Sequence, residues 1–131
     1  MINSNLKNAE IISGERGVVA KIFKEGSEGD FQAREIYLLK ITLLNQRDWI
    51  QHRSTTLIIT VTEGKVELRT RDPNFENQVE FILYGEKAEL FIAKPGSWFH
   101  IAAAESRSAT VMIIADKIHD PDEVSHRSDE I

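Results

Sequence analysis

Thr55-Thr56-Leu57-Ile58-Ile59-Thr60-Val61-Thr62, then Glu63-Gly64, then Lys65-Val66-Glu67-Leu68-Arg69-Thr70-Arg71, is the stretch that decides the fold. In 55–62 every residue except Leu57 is β-branched, which suits a pleated, buried strand and disfavours a helix. Glu63-Gly64 supplies a turn. In 65–71, Val66 and Leu68 alternate with Lys65, Glu67 and Arg69, the period-two pattern of a strand with one buried face. Together they predict a β-hairpin.

The same reading extends outward. Further strands are expected over 17–23, 36–44, 79–83, 88–93 and 110–115. They are separated by the polar 25–30 loop, by Asp72-Pro73-Asn74 and by a tight Pro95-Gly96 turn. No amphipathic helix precedes Asp116. Short strands recurring about every ten residues indicate an all-β sandwich or barrel. Asp120-Pro121-Asp122-Glu123 has the signature of a short helix start, with Pro121 at its first position. Residues 125–131 are expected to be frayed. One domain is expected over 1–131, with its core at about 15–116 and a helical or irregular tail at 117–131.

The composition narrows the function classes. With 41% hydrophobic and 28% charged residues, the 131-residue chain reads as an ordinary globular protein able to bury a core. A net charge of −5 argues against a nucleic-acid partner. No apolar run approaches the length of a membrane span, and residues 1–10 lack an apolar signal core. The absence of cysteine removes disulfides and thiolate metal sites. A cytoplasmic protein is expected.

Arg47-Asp48-Trp49-Ile50-Gln51-His52-Arg53, read with Gly64, carries the candidate chemistry. It resembles the first motif of a cupin barrel: two histidines one residue apart, a glutamate on the next strand, and a glycine at the hairpin turn. Histidines at i and i+2 point the same way from a strand. Counted back from Gly64, the glutamate position is Leu57, the second histidine is His52 and the first is Ile50. One ligand of three is too few for a divalent metal, so no metal and no cofactor are expected. The second cupin motif is a proline-glycine turn with a histidine three residues after the glycine. Phe99 holds that position and His100 lies one place late. His100 is then either outward-facing or returned to the pocket by a bulge.

Arg47–Arg53 also resembles the R-G-W/F-H-x-H-K/R segment of the sugar-nucleotide 3,4-ketoisomerases. These are cupins, as are the dTDP-4-dehydrorhamnose 3,5-epimerases and the C-terminal domain of some capsular-polysaccharide reductases. Glu15-Arg16-Gly17, Arg34-Glu35-Ile36-Tyr37 and Ala115-Asp116-Lys117-Ile118-His119-Asp120-Pro121 extend the resemblance over roughly 15–124. It implies a single-domain cupin jelly-roll β-barrel. It also implies a metal-independent isomerase or epimerase acting on a nucleotide-linked keto-deoxysugar in polysaccharide biosynthesis. Carried over residue by residue, His52 is the catalytic acid/base. Arg47 meets a substrate oxygen, Trp49 stacks on sugar or base, and Tyr37 offers a pocket hydroxyl; His100 joins the binding set if it faces the pocket. Ile50, Leu57 and Asp48 depart from the pattern, and isoleucine cannot accept a proton. The alternative is a non-catalytic cupin that binds a small ligand or serves as a structural or regulatory subunit. His119 and His126, in the charged tail, carry no chemical role in this reading. Relatives in this branch resemble dimers that pair or swap N-terminal strands, and an open barrel leaves edge strands to cover, so a homodimer is expected.

Overall fold

The computed structural model describes residues 6–42, 47–104 and 107–128. Its strands are β1 (Leu6–Asn8), β2 (Glu10–Gly14), β3 (Gly17–Lys21), β4 (Glu35–Ile41), β5 (Trp49–His52), β6 (Leu57–Glu63), β7 (Lys65–Arg71), β8 (Val79–Tyr84), β9 (Glu89–Ala93), β10 (Trp98–Ala103), β11 (Ala109–Ala115) and β12 (Val124–Arg127). They form two five-stranded sheets, β1-β9-β6-β11-β4 and β12-β5-β10-β7-β8, and a separate β2-β3 hairpin. The paired strands of both sheets run antiparallel.

The core lies between the two sheets. Leu57, Ile59 and Val61 of β6 meet Val66 and Leu68 of β7, with Phe91, Phe99, Ile101, Val111 and Ile113 around them. Burying side chains of this size stabilises the fold by about 1.5–3 kcal/mol each. β7 alternates strictly between buried and half-buried residues, as its sequence predicts. β6 is buried on both faces over Leu57–Val61. Its second face, Ile58, packs in a separate cluster with Phe31, Leu90, Ile92 and Ile114. That double burial explains why Leu57-Ile58-Ile59 shows no alternation with polar residues. Gly64 turns the chain at a φ of +87°, and a Cβ there would meet the Ser108 carbonyl oxygen at 2.7 Å, so only glycine fits.

The C-terminal segment differs from its expected form. The short helix is a single 3-10 turn, Pro121–Glu123, capped by Asp120, whose Oδ1 accepts the Asp122 N–H at 3.0 Å. The chain then runs on as β12, paired along β5, rather than fraying from Ser125. Residues 43–44 of the expected second strand and 129–131 of the tail lie outside the described residues. Alternation explains β12. Arg127 lies on its outer face, with its guanidinium 3.8 Å from the centre of the Phe75 ring. Four residues containing one aliphatic side chain carry too little pattern to predict it. Among the described residues no helix is long and apolar enough to cross a membrane.

Candidate functional site

β5 is the strand that builds the site. It pairs with β10 on one side and β12 on the other. The registers set Ile50 opposite Phe99 and His126, and His52 opposite Val124. Phe99 belongs to the inter-sheet core, so Ile50 and His52 share its inward face, as their spacing predicts. Trp49 and Gln51 face the other way. The Pro95-Gly96 turn buttresses the strand: Gly96 N–H donates to the His52 carbonyl at 2.9 Å, and Gln51 Nε2 donates to the Gly96 carbonyl at 2.9 Å.

His52 lines a cavity of about 60 Å³, together with Tyr37, Leu39, Arg47, Ile50 and Phe99. A wider groove continues from it past Glu35, His119, Val124 and His126. The structure thus brings together three of the sequence-predicted residues, His52, Arg47 and Tyr37. The wall beside it on β10 is apolar: the Phe99 ring lies parallel to the His52 ring, 6.2 Å between centres and 5° between planes.

Behind His52 stands Glu123, with Nδ1 3.6 Å from Oε1 and only 11% and 14% of the two side chains exposed. Glu123 accepts hydrogen bonds from the Ser54 N–H at 3.0 Å, from the Ser54 hydroxyl and from the Thr55 hydroxyl. Burial opposes the charged carboxylate, but these donors and His52 outweigh it and lower its pKa to about 2. A fixed anion beside Nδ1 favours the proton there and leaves Nε2 as the basic nitrogen. The His52 pKa is itself lowered below 6.5, first by burial, with Glu123 pulling it up and His119 and His126 pushing it further down. Burial likewise raises the Tyr37 hydroxyl; Glu35 adds to that shift and Arg47 opposes it.

Two predicted contacts are corrected. Trp49 does not line the cavity; its outward ring is fully buried against Phe75 and Trp98. His100 takes the outward of the two directions left open by the sequence, but not as a surface residue. β10 pairs with β7 without a break from Trp98 to Ala103, so no bulge turns His100 inward. Yet it is only 5% exposed, because its outer-face ring sits 5.6 Å from that of Trp49. His100 Nε2 donates to the Arg47 carbonyl at 3.1 Å, since a carbonyl can only accept. His100 therefore anchors the backbone of Arg47 from outside.

Glu123, His119 and His126 escaped the sequence reading. All three reach the site because the 3-10 turn and β12 fold back along β5. Arg53 clamps that return, donating to the Ser125 hydroxyl at 2.7 Å and to the Asp122 carbonyl. Val124-Ser125-His126-Arg127, with one aliphatic side chain, carries too little pattern to signal that return. Among the described residues no group of three or more histidines, cysteines or carboxylates could hold a metal ion.

No family model matches the sequence, and no curated protein matches it. Solved structures do. A dTDP sugar isomerase from Desulfovibrio desulfuricans is 21% identical, with a TM-score of 0.83 over 97% of this chain and 85% of that one. A TDP-quinovose 3,4-ketoisomerase from Campylobacter jejuni is 15% identical, with a TM-score of 0.83 over 97% and 95%. A dTDP-4-dehydrorhamnose 3,5-epimerase from Elizabethkingia anophelis is 14% identical, with a TM-score of 0.78 over 92% and 73%. The resemblance read from Arg47–Arg53 is borne out as one of fold: the chain is an all-β protein with the cupin architecture of these sugar-nucleotide enzymes.

Proposed function

We propose that this protein is a metal-independent isomerase that binds a nucleotide-linked 4-keto-6-deoxyhexose in the β5 cavity and moves its carbonyl by proton transfer. The observation that carries the reading is the convergence of His52, Arg47 and Tyr37 on one cavity, with Glu123 holding His52 from behind. His52 removes the proton next to the ketone. Arg47 stabilises the enediolate oxygen, where a fixed positive charge is most effective. Tyr37, kept neutral by its raised pKa, offers a hydrogen bond to the sugar. Ligands of the fold-mates support the substrate class: 3,4-ketoisomerases from Thermoanaerobacterium thermosaccharolyticum have been crystallised with TDP and with TDP-4-keto-6-deoxyglucose. A place in polysaccharide biosynthesis is part of the same proposal.

The direct test is incubation with dTDP-4-keto-6-deoxyglucose in deuterium oxide, followed by nuclear magnetic resonance. Deuterium is expected at carbon 3. Ile50, Leu39 and Phe99 favour a second reading, a non-catalytic cupin binding a small ligand against an oily wall. Binding without exchange across a panel of keto-sugar nucleotides decides for that second reading.

The rate should depend on pH in a set direction. His52 acts as a base only when neutral, and its pKa lies below 6.5. Exchange is therefore expected to fall as pH is lowered, with an acid midpoint below 6.5. Glu123→Gln removes the anion that raises the His52 pKa, so the acid midpoint should move lower still, with a reduced plateau. A midpoint above 6.5 in the wild type would contradict this assignment.

A homodimer belongs to the same proposal. Every residue of the β2-β3 hairpin is exposed, including Ile11, Ile12, Val18 and Val19, and an isolated hairpin is marginal in water. β4 is an edge strand that also exposes Ile36 and Leu38. Light scattering is expected to give twice the 14.9 kDa of one chain, and Val18→Glu with Leu38→Glu to give the monomer mass. A monomeric wild type would refute the pairing.

A further inference from the structure

Ile50 leaves the cavity with one imidazole for the two proton transfers of a carbonyl transposition, one at each carbon. We propose that the C-terminal segment supplies the second, His119, as the acid that delivers a proton to the substrate. This inference rests on the isomerase reading above and deepens it.

Three observations carry it. The rings of His119 and His52 lie 6.5 Å apart between centres at 67°, near enough for both imidazoles to face adjacent carbons of one hexose bound across the groove beside them. Both line the same groove, together with Tyr37, Arg47 and Ile50. The segment is also held in place rather than draped: Glu35 Oε1 accepts the His119 N–H at 3.3 Å, Asp116 Oδ1 accepts the Thr56 N–H at 2.9 Å, and the Arg53 N–H donates to the Glu123 carbonyl at 3.1 Å. A further imidazole, His126, stands in register with Ile50 on the same inward face. Glu35 and Tyr37 on β4, Arg47 and His52 at β5, and Glu123 and His126 beyond the 3-10 turn are the charged and titratable groups around this mouth.

The step balances as follows. Neutral His52 takes the proton from carbon 3; the C3–H pair becomes the C3–C4 double bond, and the carbonyl π pair moves to the carbon-4 oxygen beside Arg47. The hydroxyl proton on the carbon-3 oxygen passes to the carbon-4 oxygen. The C3–O⁻ pair then reforms a carbonyl, and the double-bond pair takes a proton at carbon 4 from protonated His119. His119 ends neutral and His52 protonated, and exchange with solvent resets both. Substrate and product are isomers, so no oxidant or reductant is required.

This division of labour separates two readouts. His119→Asn is expected to keep carbon-3 deuterium exchange while slowing carbonyl transposition by about 10²-fold or more, the usual contribution of a general acid. His52→Asn is expected to lose both. A His119→Asn protein that transposes the carbonyl at the wild-type rate overturns the inference. So does one that loses exchange and transposition in equal measure, because His119 would then act in binding alone. A wild type inert toward every keto-sugar nucleotide overturns the isomerase reading itself, and this step with it. A readout free of turnover completes the test: His119→Asn is expected to raise the titration midpoint of His52, because it removes a neighbouring group that can carry positive charge. An unmoved midpoint overturns the pairing of the two rings.

Discussion

His52→Asn is expected to lower carbon-3 exchange and carbonyl transposition by about 10²–10⁴-fold, the span of a lost general base, while nucleotide binding and the fold persist. The reasons are local. Asparagine fits the space of imidazole against Phe99 and keeps a polar end toward Glu123, but its amide cannot take a proton near neutral pH. Glu123 is not orphaned by the change, because Ser54 N–H and the hydroxyls of Ser54 and Thr55 still donate to it. The stability loss should therefore stay near 1 kcal/mol, the net value of one hydrogen bond. Exchange rates by nuclear magnetic resonance, TDP affinity by calorimetry and a thermal melt separate the three quantities. Full exchange activity in His52→Asn would remove this imidazole from the mechanism. A collapse of stability would instead make it a structural histidine.

The placement of His52 was legible in the sequence because strand geometry leaves few choices. Gly64 marks the turn, β6 occupies the centre of its sheet, and period two fixes which face Ile50 and His52 share. The same rule, applied to Trp49, already sends its ring to the opposite face. The resemblance to a ketoisomerase segment suggested a stacking role that alternation does not allow. His100 shows a different limit. Its outward direction follows from the slip by one residue, but its burial does not, because the cover comes from Trp49 of a neighbouring strand. The contribution of 119–127 was hidden for a third reason. Short polar strands gain their order from the strand they pair with, and β12 rests on β5 through its register, through Arg53 and through Arg127 stacked on Phe75. Nothing in Val124-Ser125-His126-Arg127 taken alone predicts that contact.

That outer face sets the second large effect. Trp49→Ala is expected to cost about 3–5 kcal/mol of folding stability, as for other fully buried large aromatics, and to lower the melting temperature by roughly 10–20 °C in a domain of this size. Trp49 is fully buried, meets Phe75 edge-on at 5.2 Å and 81°, and lies 5.0 Å from the Arg71 guanidinium. Its removal leaves a cavity under β5 and withdraws the packing that holds Ile50 and His52 inward. Trp49→Phe should be far milder. It keeps an aromatic ring in the cluster and removes an indole N–H that is buried without a partner among the described residues. Thermal melts of the two variants, set beside their affinity for TDP-sugar, test the placement. If Trp49 were a platform for the sugar or base, alanine would weaken binding and leave the melt nearly unchanged. The packing of the outer sheet face requires the reverse, a large loss of stability in alanine and near-recovery in phenylalanine, with affinity falling only as far as the folded fraction does.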